Sequence, residues 1–198
     1  MTKKLAILLL AVLAPLAATP AEAGSFALFG SYWDTEELAE SAGAGARLGF
    51  SFPGDFARFE LRGSYFPDLT EEFATVIEDR RVSGDFEIEA IPLEAGISLN
   101  FGGEGVNPYL GAGASYFRLD SNIGEISDEV GYYGVAGLEF GRQGGGIGFF
   151  VEAIYRSIEG TVEVDPEDFE EIPDIEVVQE VDLDLSGFGV NAGFVWRW

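Results

Sequence analysis

Histidine and cysteine are both missing from the 198 residues. Without histidine the chain has no use of the commonest general base and metal ligand at neutral pH. Without cysteine it has no thiol nucleophile, disulfide, thiolate zinc site or acylated lipoprotein anchor. Positive charge is scarce: 11 basic residues stand against 35 acidic ones, a formal net charge of -24. That balance repels phosphate backbones, so no nucleic-acid partner is expected. Long apolar runs are also lacking. After residue 23 no stretch approaches the roughly 18 apolar residues that mark a membrane helix. A membrane β-barrel stays open, because its strands need only about 9–11 residues of alternating polarity.

Glycine and aromatics are plentiful instead, with 27 Gly, 17 Phe, 7 Tyr and 3 Trp. This is ordered-strand chemistry rather than that of a disordered acidic chain. Residues 1–23 read as a cleaved signal peptide. Lys3 and Lys4 start it, Leu5 to Ala18 form an apolar run broken only by Pro15, and Ala21-Glu22-Ala23 precedes Gly24 as a small-x-small cleavage site. The run is too short to span a bilayer. Residues 24–198 then form one domain with nine arginines against 34 acids, a net charge of −25.

Four windows, Asp34–Glu40, Asp68–Glu89, Asp120–Glu129 and Glu159–Asp184, hold 28 of those 34 acids. They alternate with three short breaks at Pro53-Gly54-Asp55, Gly102–Gly105 and Arg142–Gly146. Seven connections join eight segments: Ser25–Trp33, Gly43–Phe52, Phe56–Phe66, Ile88–Phe101, Tyr109–Leu119, Gly131–Gly141, Ile147–Ser157 and Leu185–Trp198. Each shows the two-residue period of a strand. Ala44, Ala46, Leu48, Phe50 and Phe52 oppose Gly43, Gly45, Arg47, Gly49 and Ser51. Ala57, Phe59, Leu61, Gly63 and Tyr65 oppose Arg58, Glu60, Arg62 and Ser64. In Tyr109–Leu119 either face can be argued; Leu110, Ala112, Ala114 and Tyr116 are expected outward.

A soluble sandwich or lipocalin-like barrel would show the same period with the apolar face inside. Single charges set among glycines, and aromatics at both ends of the strands, favour the inverted arrangement. Trp33, Tyr65, Phe66, Tyr116, Tyr132 and Tyr155 are expected as the extracellular belt. Phe26, Phe52, Phe56, Phe101, Tyr109, Phe140, Phe149 and Trp198 are expected as the periplasmic one. The fold class is therefore all-β, an eight-stranded antiparallel up-and-down transmembrane β-barrel.

The last eight residues, Asn191 to Trp198, resemble the C-terminal assembly signal of outer-membrane proteins, with Asn191, Gly193, Trp196 and Trp198 as its elements. The segments Asn107–Gly113 and Gly187–Gly193 resemble the common β-barrel outer-membrane domain. The mature chain as a whole resembles the small eight-stranded barrels, the OmpA-type transmembrane domain and OmpX-like proteins. The resemblance implies the outer membrane as location, with lipid, lipopolysaccharide and the barrel-assembly machinery as partners, and a monomer. It departs from the family in ending on Trp where Phe is usual, and no peptidoglycan-binding domain follows. Barrel enzymes of similar shape, such as the lipid A palmitoyltransferase and the omptin proteases, use a catalytic histidine that this sequence lacks.

The inward polar set comprises Arg47, Arg58, Glu60, Arg62, Glu94, Glu139, Glu152, Arg156, Asn191 and Arg197. Glu139 and Glu152 could serve as acid and base. A salt-bridged plug is the reading preferred here, since eight strands leave room only for side chains. Arg47 and Glu60 are expected opposite or nearly opposite one another across the Pro53-Gly54 turn. Asp165–Glu171 invites a calcium reading but lacks the glycine of an EF-hand loop. Glu180, Asp182 and Asp184 suggest that the eighth strand rises above the membrane as a polar hairpin arm. No catalytic residue, metal ligand or cofactor is assigned. The expected function is a non-enzymatic surface protein, for envelope integrity or adhesion through acidic outer loops; the alternative is a small-solute, porin-like channel.

Overall fold

The alternation of polarity is realised as a closed barrel. A computed structural model of the chain describes residues 24–36, 39–77, 80–102, 105–121, 125–126, 129–141, 145–164 and 179–198. Residues 1–23, expected as a signal peptide, and Asp165–Glu171 lie outside these. The strands are β1 (Gly24–Thr35), β2 (Ser41–Ser51), β3 (Ala57–Ile77), β4 (Arg80–Asn100), β5 (Gly105–Ser121), β6 (Glu125–Ile126), β7 (Glu129–Gly141), β8 (Gly146–Ser157), β9 (Glu159–Val164), β10 (Gln179–Asp184) and β11 (Gly187–Arg197). Eight of them close in the order β1-β11-β8-β7-β5-β4-β3-β2, all neighbours antiparallel. β1 meets β11 from Ser25↔Arg197 to Thr35↔Gly187. The Gly24 and Trp198 amides complete the seam at 3.1 Å in each direction. Among the described residues no helix is long and apolar enough to cross a membrane, and the crossing elements are strands.

The barrel is inside-out relative to a soluble one. Leu28, Leu48, Leu93, Ile97, Leu110, Val190 and Phe194 are exposed on its outer wall, while four arginines and four glutamates are buried within. Leu110, Ala112 and Ala114 of β5 point outward as expected, and Tyr109, Ser115 and Phe117 point in. The inverted polarity matches a bilayer outside and side chains within, and excludes the soluble reading.

Two connections differ from plain loops. The second acidic window is mostly strand: β3 and β4 run on as a hairpin to the pair Ile77↔Arg80. From Leu69 onward β3 has left β2, whose last partner is Tyr65. At about 3.3 Å per residue this lifts the hairpin roughly 30 Å. The register shifts between Phe66 and Leu69, around Pro67, which has no N–H to give a ladder. The fourth window holds the expected hairpin arm, but as separate strands. β10 pairs with β9, which also carries β6, in a three-stranded sheet. The eighth barrel strand does not continue into it; Leu185 and Ser186 interrupt the ladder.

Candidate functional site

The lumen holds the candidate site, and its residues come from every part of the wall. Glycines on the inner face make the space. A Cβ at Gly49 would stand 2.7 Å from Arg58 Cδ, and one at Gly137 would collide with the Tyr109 ring. Small inward residues therefore sit where long side chains must cross.

Three layers stack along the axis. At the short-turn end, Arg58 Nη1 lies 3.2 Å from Glu139 Oε2, and Arg197 Nη2 contacts Glu139 Oε1. In the middle, Glu60 takes Arg58 Nε at 2.8 Å and Arg62 Nη2 at 2.7 Å, with Arg47 Nη1 at 3.7 Å. Glu152 takes Arg47 Nη1 at 3.2 Å, Asn191 Nδ2 at 2.8 Å, Arg62 Nη1 and the Tyr109 hydroxyl. Ser31 Oγ donates to Asn191 Oδ1 at 2.5 Å. Toward the arm end, Arg156 reaches across the barrel and its Nε lies 2.9 Å from Glu94 Oε1. Its guanidinium stands 5.3 Å from the Trp33 ring and 5.6 Å from that of Phe66.

Above Arg156 the lumen turns apolar. Trp33, Phe66, Leu69, Ile88, Phe117, Leu119, Ile158 and Leu185, with Ala90, form one buried cluster. Its last two members mark the joint with the β9–β10 arm. Leu185 N donates to Ile158 O at 3.2 Å, and Ile158 N to Ser186 Oγ at 3.1 Å. Asp184, outside the barrel wall, accepts the Ser186 amide at 2.8 Å, and hydrogen bonding to the Ser186 side chain first and to this amide second holds its carboxyl below the ordinary aspartate value.

All eight charged residues expected inside are thus buried and brought into contact, and Asn191 and Arg197 join them. Gly193 faces inward against Phe29, whereas Trp196 and Trp198 lie on the outer wall. Three expectations need correction. Trp33 and Phe66 are not belt residues but parts of the apolar cap, and Tyr109 is a lumen residue rather than a periplasmic girdle member. Their strand parity puts them on the charged face, and parity prevails over position near a strand end. Arg47 and Glu60 are nearly opposite, as expected: Arg47 faces Arg62 and Glu60 faces Gly49 in register. The ion pair is diagonal. Tyr65, Tyr132, Tyr155, Phe52, Phe56, Phe101, Phe140, Phe149 and Trp198 are exposed as the belts require.

Both oxygens of Glu60, Glu139 and Glu152 are occupied by arginines. Among the described residues no group of three acidic side chains is arranged to hold a metal ion.

The family described as "Outer membrane protein beta-barrel domain" matches residues 5–195. Among solved structures, Neisserial surface protein A aligns at TM-score 0.55 and 13% identity, over 90% of this chain and 96% of that one. The N-terminal β-barrel domain of Pseudomonas aeruginosa OprF aligns at 0.51 and 13%, over 89% and 97%. E. coli outer membrane protein W aligns at 0.49 and 15%, over 89% and 99%. Among curated proteins none matches the sequence significantly. At these identities the likeness is one of fold.

Proposed function

Because the chain belongs to the outer membrane protein beta-barrel domain family and is a protein of the outer membrane, we propose that it is a non-enzymatic surface protein that works through the strands and loops above its barrel. One observation carries the reading: paired charges and then an apolar cluster occupy successive layers of the lumen. Such layering supports a barrel that serves as a mount over one that conducts solutes. With short turns toward the periplasm, as outer-membrane barrels are built, the long acidic segments face outward. Envelope integrity and adhesion are the roles such a mount serves. A surface this acidic suits basic partners, or lipopolysaccharide phosphates bridged by divalent cations. Asn191, Gly193, Trp196 and Trp198 would be read by the assembly machinery, and the chain would act as a monomer.

The test pairs two measurements. The purified protein in planar bilayers should show no steady single-channel conductance. Cells lacking it should lose resistance to detergent or attachment to surfaces, and regain it with the intact protein only. Sustained ohmic channels would sink the reading and put a small-solute channel in its place.

A further inference from the structure

The lumen is not filled to its short-turn end. Below the Arg58–Glu139–Arg197 layer a vestibule of about 500 Å³ opens between the turns, lined by Ser25, Ser51, Arg58, Asn100, Asn107 and Arg197 among others. Phe56, Phe101 and Trp198 form its exposed lip. Its base is cationic in an unusual way for a structural layer. Two guanidinium groups share the one carboxylate of Glu139. Arg58 is only 4% exposed, yet its Nη2 is buried without a hydrogen-bond partner, while Nε and Nη1 are both engaged. Asn107 Nδ2 donates to Asn100 Oδ1 at 3.3 Å, and Asn107 Oδ1 is buried and unpartnered. A buried guanidinium N–H left without an acceptor is costly, which is why such groups are normally paired. The mouth brings the guanidinium groups of Arg58 and Arg197 together with two side-chain amides and three aromatic rings.

We infer that the vestibule is a receptor for a carboxylate group entering from the periplasmic side, delivered by a free small acid or by the C-terminus of a peptide chain. With Nε held by Glu60 and Nη1 by Glu139, Arg58 keeps the N–H donors of Nη2 for an oxygen of the incoming carboxylate, a charge-assisted bond. The volume admits a terminal residue or two, whose neighbouring amide meets Asn107 and whose side chain meets Phe101 or Trp198. Asp55 also lines the mouth but lies on its exposed turn, where solvent screens it. The deeper charges admit no ligand further in, so binding is a docking event with no transport step. It is independent of the outward-facing role proposed above, because it uses the opposite end of the barrel.

The test uses the full mature chain refolded in detergent micelles, followed by the fluorescence of Trp198 and the side-chain NMR signals of arginine. The probes are acetate, a tripeptide with a free C-terminal carboxylate, the same tripeptide amidated, and inorganic phosphate. The free-carboxylate tripeptide is expected to saturate the signal, and the amidated one to bind at least tenfold more weakly. Acetate matching the tripeptide would assign the site to free acids, and a tripeptide tighter than acetate would assign it to chain ends. Arg197→Gln and Asn107→Leu should each weaken binding about fivefold or more, with folding verified by the shift between boiled and unboiled samples. Trp33→Phe, at the far end of the lumen, should leave it unchanged. Equal affinity for the two tripeptides, tighter binding of phosphate than of any carboxylate, or undiminished binding in both mouth variants would overturn the proposal.

Discussion

Glu60 joins three arginines, Arg47, Arg58 and Arg62, from two adjacent strands. Replacing it by alanine takes one of two carboxylate partners from each of three buried cations, leaving Arg47 and Arg62 on Glu152 and Arg58 on Glu139, and breaking a buried pair typically costs about 3–5 kcal/mol. Glu60→Ala is therefore expected to lower the urea midpoint of the barrel in lipid vesicles sharply, while Glu36→Ala, on the exposed outer side, leaves it within error. Trp33 is the largest fully buried side chain and packs 5.1 Å from Phe66 and 5.9 Å from Phe117. Trp33→Ala should cost a further ~3–5 kcal/mol through the cavity it leaves, read by the same urea titration. These two residues show how legible the site was. Single charges in apolar strands announce their own face, because a charge in lipid costs about 2–4 kcal/mol, and every one expected inside is there. Aromatics carry no such signal. Tyr109, Trp33 and Phe66 suit a membrane interface and a lumen equally well, and only their two-residue phase with Ser115, Ser31 and Arg62 tells them apart.

Among the elements, turn chemistry and period located all eight crossing strands, while the strand ends above the membrane were illegible. Acidic residues in Asp68–Glu89 suggest a loop, yet β3 and β4 pair through them. Two strands held by backbone hydrogen bonds tolerate polar side chains on both faces, so alternation fades where there is no lipid to enforce it. The hairpin arm at Asp182 and Asp184 was readable, but its separation from β11 was not, because the break rests on Ser186. That residue's amide goes to Asp184, its hydroxyl accepts from Ile158, and its carbonyl accepts from Glu36 N at 2.8 Å. The joint also responds to pH. The Asp184 carboxyl is held below its ordinary value, so its contribution is complete above the usual aspartate range and fades as pH falls through the lowered value. Amide hydrogen exchange at Ser186, compared with Gly189 in the barrel, should accelerate on acidification toward pH 3 and be pH-insensitive, after correction for intrinsic rates, in Asp184→Asn.

For the molecule as a whole, charge is sorted by place. Five of the nine arginines of residues 24–198 serve the lumen, while most acids lie in the four acidic windows between the barrel strands. Adsorption of the purified protein to a polycationic surface should therefore be strong at 0.1 M salt and largely lost at 1 M, where the screening length falls from about 10 to about 3 Å. Trp198→Asp should leave refolding in detergent intact but empty the outer membrane of the protein, measured by envelope fractionation; normal surface levels would refute the assembly role. The seam between β1 and β11 carries a further consequence, one of timing. β1 is the first barrel strand to leave the ribosome and its second partner is the last. One edge of β1 stays unsatisfied until β11 has been made, and a bilayer does not accept an open edge. Contact order this high makes closure slow, so the chain must be kept unfolded through export, and its entry into the membrane and its completion as a barrel become a single event.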